Sequence, residues 1–163
     1  MAATATLTET TVAPLVPSRL DELLTKDAST LKHLYETARA PLLADVRGAL
    51  RGRMLAWPRV GGVTGRALRA LASSSRFPWR GKSFSPLGAT DGEGINRVVL
   101  ERVKLFRFET SIGPSRAGDF DALQLDYDLP ENPWFIRRIK DEMRELSPGL
   151  WLGQAYWHTP RAD

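Results

Sequence analysis

The sequence predicts an α+β domain, mainly antiparallel β, whose sheet closes wholly or partly into a barrel, with N-terminal helices and one inserted amphipathic helix near 133–147. Three observations carry this reading. From residue 77 onward, short runs of alternating apolar and polar residues are divided by loops rich in Gly, Pro and Asp, the pattern of a strand meander. Residues 18–39 instead place leucines at helical spacing. A meander of about six to eight strands removes its exposed edges by curling on itself.

Each element follows in order. Residues 1–17, rich in Thr and Ala and ending in "APLVP", read as a flexible tail, so the single domain spans 18–160. Ser18 with Asp21 three residues on gives an N-cap signature, and Leu20, Leu23 and Leu24 share a face. A second helical start at Asp27 carries Leu31, Leu34, Tyr35 and Ala38, with His33 on the solvated side. "GALRGRMLAW", ending before Pro58, reads as a bent strand, and "VTGRALRALASSS" as a short helix through Val63, Ala67, Leu68, Leu71 and Ala72. The runs "WRGKSF", "INRVVLERV", "KLFRFETSI" and "DALQLDYDL" are strands. On the third of these, Phe106, Phe108, Thr110 and Ile112 take one face, while Leu105, Arg107, Glu109 and Ser111 take the other. Over 133–147, Asn132 reads as N-cap and Pro133 as first helical residue, with Phe135, Ile136, Ile139, Met143 and Leu146 as an apolar stripe opposite Arg137, Lys140 and Arg144. The chain returns as a strand in "LWLGQAYWHT".

Composition narrows the chemistry. A chain of 163 residues with 42% hydrophobic residues can bury one core without cross-links. With no cysteine, thiolate catalysis and cysteine-bound zinc are excluded, and His33 and His158 are too few for a multi-histidine metal site. No metal or cofactor is expected. The net charge of +4 arises from 23 bases interleaved with 19 acids, which argues against a nucleic-acid surface. The N-terminal stretch has neither a basic n-region nor an apolar h-region, and no apolar run reaches the roughly 20 residues of a membrane span, so a cytoplasmic protein is expected. No nucleophile-elbow, P-loop or zinc-protease motif occurs.

Polar residues that recur on a strand face of such a barrel, and the aromatic residues beside them, are the candidate ligand-binding groups, since a small barrel has room inside for side chains or one small molecule. These are Arg53, Trp79, Lys82, Phe84, Arg107, Glu109, Asp126 and Tyr156. In an ideal extended segment Lys82 and Phe84 share a face and Trp79 takes the opposite one. Arg107 and Glu109 lie two apart, either lining a cavity or facing water, and Asp126, Asp128 and Gln124 form a similar line. Trp151, Tyr156 and Trp157 are most simply core.

The succession of "LRGRML" (50–55), a short helix, "WRGKSF" (79–84), "DALQLDYD" (121–128) and "LWLGQAY" (150–156) resembles small bacterial proteins of the GXWXG type. That resemblance implies lipocalin-like barrel character and says more about fold than function. Three function classes fit. The first is binding of a small hydrophobic or amphipathic molecule with a polar or anionic end. The second is a barrel enzyme of isomerase, cyclase or hydratase type, with Asp126 or Glu109 as base and Arg107 or Lys82 stabilising an oxyanion. The third is an interaction module that docks through the 133–147 helix or the basic row of Arg137, Lys140 and Arg144.

Overall fold

The structure, a computed structural model, describes residue 17 and residues 19–55, 79–98 and 103–158. The tail over 1–16, the Ser18 cap and the helix through 63–72 lie outside these residues. Two helices open the described part, α1 (Leu20–Leu23) and α2 (Ala28–Thr37). Asp27 caps α2 through its carboxylate, which accepts from Thr30 N at 2.7 Å. That backbone bond, helped by Ser29, holds the Asp27 pKa down to about 2. Leu31, Leu34 and Tyr35 are the buried face of α2.

Seven strands follow: β1 (Gly48–Arg51), β2 (Trp79–Pro86), β3 (Asp91–Val98), β4 (Val103–Pro114), β5 (Asp121–Asp126), β6 (Ile139–Ser147) and β7 (Leu150–Trp157). They pair in sequence order, all antiparallel, in one sheet. Strands β2 and β6 stand four places apart in that order, about 19 Å in a flat sheet. Yet Lys82 Nζ of β2 lies 3.0 Å from Asp141 Oδ2 of β6. The sheet is therefore curled into a half-barrel with these two strands facing each other across its inside, and among the described residues β1 and β7 do not pair.

The inner face carries Phe84, Phe108, Leu123, Leu125, Tyr127 and Met143, with Leu50 and Trp151 packed against them. Phe108 is central: its ring meets Phe84 at 5.3 Å and Tyr127 at 5.2 Å, both edge-to-face. The alternation read along β4 is as observed, with Phe108 and Thr110 buried and Leu105, Arg107, Glu109 and Ser111 exposed. On the outer face of the last strands, α1 and α2 pack Leu23, Leu31, Leu34 and Tyr35 against Leu150 and Leu152.

The inserted helix is not there. Residues 134–138 are turns, and Ile139–Ser147 is strand β6. Glu142, Met143, Arg144 and Glu145 are consecutive and all buried, so β6 has no polar face to show period two. Its two acids are met by distant partners: Glu142 accepts from Tyr35, Ser115 and Arg116, and Glu145 pairs with Arg39. The Arg144 guanidinium donates to the Ala38 carbonyl and stacks 3.8 Å from the Phe120 centroid, while its Nε and Nη1 have no hydrogen-bond partner among the described residues. Long-range burial outweighs local propensity here. Asn132 caps no helix. Its Nδ2 donates to the carbonyls of Arg107 at 2.7 Å and Tyr127 at 2.9 Å, pinning the segment after β5 to β4.

Gly81 shapes the start of β2. Its φ of +131° is a conformation L side chains rarely adopt, and a Cβ there would lie 2.1 Å from the Leu50 carbonyl oxygen. Gly81→Ala should lower stability by about 2 kcal/mol or more, read by urea unfolding, through strain and a weakened β1–β2 pairing. A loss below about 0.5 kcal/mol would show that β1 is free to move away.

Candidate functional site

The register of β2 slips between Trp79 and Gly81, which leaves Arg80 as an extra residue. That bulge changes the ideal alternation. Trp79 comes to the Lys82 side, where its indole N–H donates to Asn96 Oδ1 at 3.0 Å. The expectation that Trp79 and Lys82 point to opposite faces is thus corrected by one inserted residue. Gly52 leaves room for the indole, since a Cβ there would lie 2.3 Å from the ring.

Lys82 and four other side chains, Trp79, Asn96, Tyr127 and Asp141, form one network on the inner face. Its ammonium donates to Asn96 Oδ1 at 2.9 Å, to Asp141 Oδ2 at 3.0 Å and to the Tyr127 hydroxyl oxygen. Tyr127 O–H donates to Asp141 Oδ2 at 3.1 Å, and Asn96 Nδ2 donates to Tyr127 Oη at 3.1 Å and to the Phe106 carbonyl at 3.2 Å. The rings of Tyr127, Phe108 and Trp79 lie 5.1, 5.2 and 5.7 Å from Lys82 Nζ, so aromatic faces complete its surroundings.

A second bulge serves the same network. The β3–β4 register slips between Ile95 and Asn96, opposite Phe106, which takes a φ of 61°. A left-handed aromatic residue costs about 1–2 kcal/mol, and the bond from Asn96 to its carbonyl helps hold it. Strained bulges concentrate near functional sites.

Electrostatics keep the network charged in one pattern. Burial disfavours the Lys82 cation, but the Tyr127 oxygen and the Asp141 carboxylate outweigh it and lift the ammonium's pKa above its ordinary value. Burial also raises the Tyr127 phenol, against the pull of Lys82, so the phenol stays protonated at neutral pH. At neutral pH an ammonium therefore stands against a protonated phenol.

Comparison with known protein families, with curated proteins and with solved structures gives no match. Function is therefore read from the geometry of this chain.

Of the eight residues singled out from the sequence, Trp79, Lys82 and Phe84 are brought together on the inner face. Arg107, Glu109, Asp126 and Tyr156 sit on the other face. Arg107 donates to Glu93 at 2.6 Å and lies in a looser ion pair with Glu131 at 3.6 Å on an outer surface, and Asp126 pairs with Lys140. An open groove of about 270 Å³ runs there, lined by Ser83, Ser85, Glu93, Ile95, Lys104 and Arg107. Lys82 and Asp141 keep 13% and 16% side-chain exposure against 52% and 42% for Arg107 and Glu93, so only the former pair acts in a low dielectric. Arg53 lies just beyond β1, half-buried. Tyr156 donates to Gln154 at 2.7 Å, and its ring lies 5.9 Å from the Arg116 guanidinium.

Sequence reasoning missed Asn96, Tyr127 and Asp141. Tyr127 lies between the two acids that drew attention, and the register points it inward while Asp126 and Asp128 face water. Asp141 lies within 133–147, the span whose spacing predicts a helix, and strand β6, which forms there instead, turns it toward Lys82. Among the described residues no group of three or more His, Asp or Glu could hold a metal ion, and no helix is long and apolar enough to cross a membrane.

Proposed function

We propose that the half-barrel binds a small, largely apolar molecule whose polar end meets the Lys82–Tyr127–Asp141 network. The reading extends the lipocalin-like expectation to a defined set of side chains. One observation carries it: three buried polar atoms on the aromatic inner face, Thr110 Oγ1, Asp141 Oδ1 and Trp151 Nε1, have no hydrogen-bond partner among the described residues. Buried polar groups are nearly always satisfied, and each orphan costs about 1–3 kcal/mol. A bound molecule with complementary polar atoms removes that cost, and Phe84, Phe106, Phe108 and Leu50 supply apolar walls.

The test is native mass spectrometry of protein isolated gently from its host, followed by denaturing extraction and a thermal-shift screen of amphiphiles. The expected result is a stoichiometric small molecule above the 18.1 kDa chain, released on denaturation. A bare chain, together with no shift from any amphiphile, overturns the reading. The enzymatic reading moves its base from Asp126 and Glu109 to Asp141, the carboxylate with an open buried oxygen. Deuterium taken up from D₂O by the extracted molecule on reincubation, and lost in Asp141→Asn, would favour it over binding alone.

A further inference from the structure

Counting donors and acceptors around Lys82 defines what the polar end of a ligand must be. An ammonium has three N–H bonds, and all three are committed, to Asn96, Tyr127 and Asp141. Asn96 is used in full: Oδ1 accepts from Trp79 and Lys82, and Nδ2 donates to Phe106 and Tyr127. Tyr127 gives its single proton to Asp141 Oδ2 and accepts from Lys82 and Asn96. Asp141 Oδ2 thus receives two donors, and Asp141 Oδ1, though buried, receives none among the described residues. The open position in the network is an acceptor. The two orphan donors of the inner face, the Trp151 indole N–H on β7 and the Thr110 hydroxyl on β4, stand outside this network, and neither bonds any of its members.

Resting on the ligand-binding reading above, we infer that the ligand's polar end is a neutral hydrogen-bond donor, a hydroxyl or an N–H, and that Asp141 Oδ1 selects it against a carboxylate. A carboxylate would find no uncommitted donor in the network. It would also place a second negative charge beside Asp141, whose own charge already balances Lys82 within hydrogen-bond distance. An alcohol, phenol or amide N–H completes the network without changing its charge. The basic sign of Lys82, which alone suggests an anionic headgroup, is thus cancelled by its neighbour on β6.

A matched series tests this on the full chain at neutral pH: 1-decanol, decanoate and decyl methyl ether, with dissociation constants from competition against a fluorescent amphiphile. The alcohol is expected to bind at least tenfold tighter than either the carboxylate or the ether. In Asp141→Asn the shape stays, the Lys82 charge is no longer balanced, and the alcohol-to-carboxylate ratio should fall at least tenfold. Should that variant fail to fold, the wild-type ratios decide alone. A carboxylate that binds wild-type protein as tightly as the alcohol overturns the inference while leaving the binding reading intact. The molecule extracted from native protein is an independent readout, an acidic end overturning the inference and a hydroxyl or N–H end supporting it. If the protein is empty and none of the three compounds binds, the ligand-binding reading itself fails and the inference fails with it.

Discussion

Asp141→Ala should lower the folding free energy by about 3–5 kcal/mol, the cost of leaving a buried charge without its partner. Lys82 would keep only the neutral oxygens of Asn96 and Tyr127 for its ammonium, and the Tyr127 proton would lose its acceptor. Because this pair joins β2 to β6 across the curled sheet, the loss should appear as global destabilisation in urea, with the midpoint reduced. Lys82→Met should cost a similar amount for the mirror reason. The double variant Lys82→Met, Asp141→Leu should recover much of the loss, since a buried ion pair replaced by apolar side chains of similar volume is often neutral. A single-variant loss below about 1 kcal/mol, the range of exposed pairs such as Arg107–Glu93, would mean that water reaches Lys82 freely.

Glu142→Ala should be nearly as damaging, by about 3 kcal/mol, because it strands several donors at once. The carboxylate is fully buried and accepts from Ser115 Oγ at 2.6 Å, Arg116 N at 2.9 Å, Arg116 Nη1 at 2.9 Å and Tyr35 O–H at 3.2 Å. These bonds clamp α2 and the β4–β5 loop onto β6. Burial pushes the Glu142 pKa up, but the donors of Ser115, Arg116 and Tyr35 outweigh it and hold it below its ordinary 4.5. A depressed carboxylate stabilises the fold fully above its unfolded-state pKa, and that contribution is lost as pH falls through the folded-state value. The stability gap between wild type and Glu142→Gln should therefore be largest at neutral pH and narrow below about pH 4.5. A gap independent of pH would show that the carboxylate's charge plays no part in the clamp.

The two networks sit back to back on one strand, and that is why local spacing misassigns β6. Asp141 and Glu142 point to opposite faces, and each is held by residues far along the chain, Lys82 on one side and Tyr35 on the other. Local spacing shows only the apolar residues Phe135, Ile136, Ile139, Met143 and Leu146, which fit a helix. The partners that make a strand of buried charges stable are invisible at that range.

What the sequence determines by itself is what depends on neighbours along the chain. The α2 cap at Asp27, the alternation along β4, the antiparallel order and the basic-aromatic stretch around Lys82 all follow from side-chain period and turn chemistry, which act over a few residues. Tertiary structure alone decides which face lies inside, and so separates Lys82 and Tyr127 from Arg107 and Asp126. A single bulge residue, Arg80, moves Trp79 to the other side, and the curl of the sheet brings Asp141 to Lys82. Register and curvature set these placements because strand side chains alternate with period two, so one inserted residue reverses a face, and a buried charge is tolerated only where a distant partner arrives to meet it.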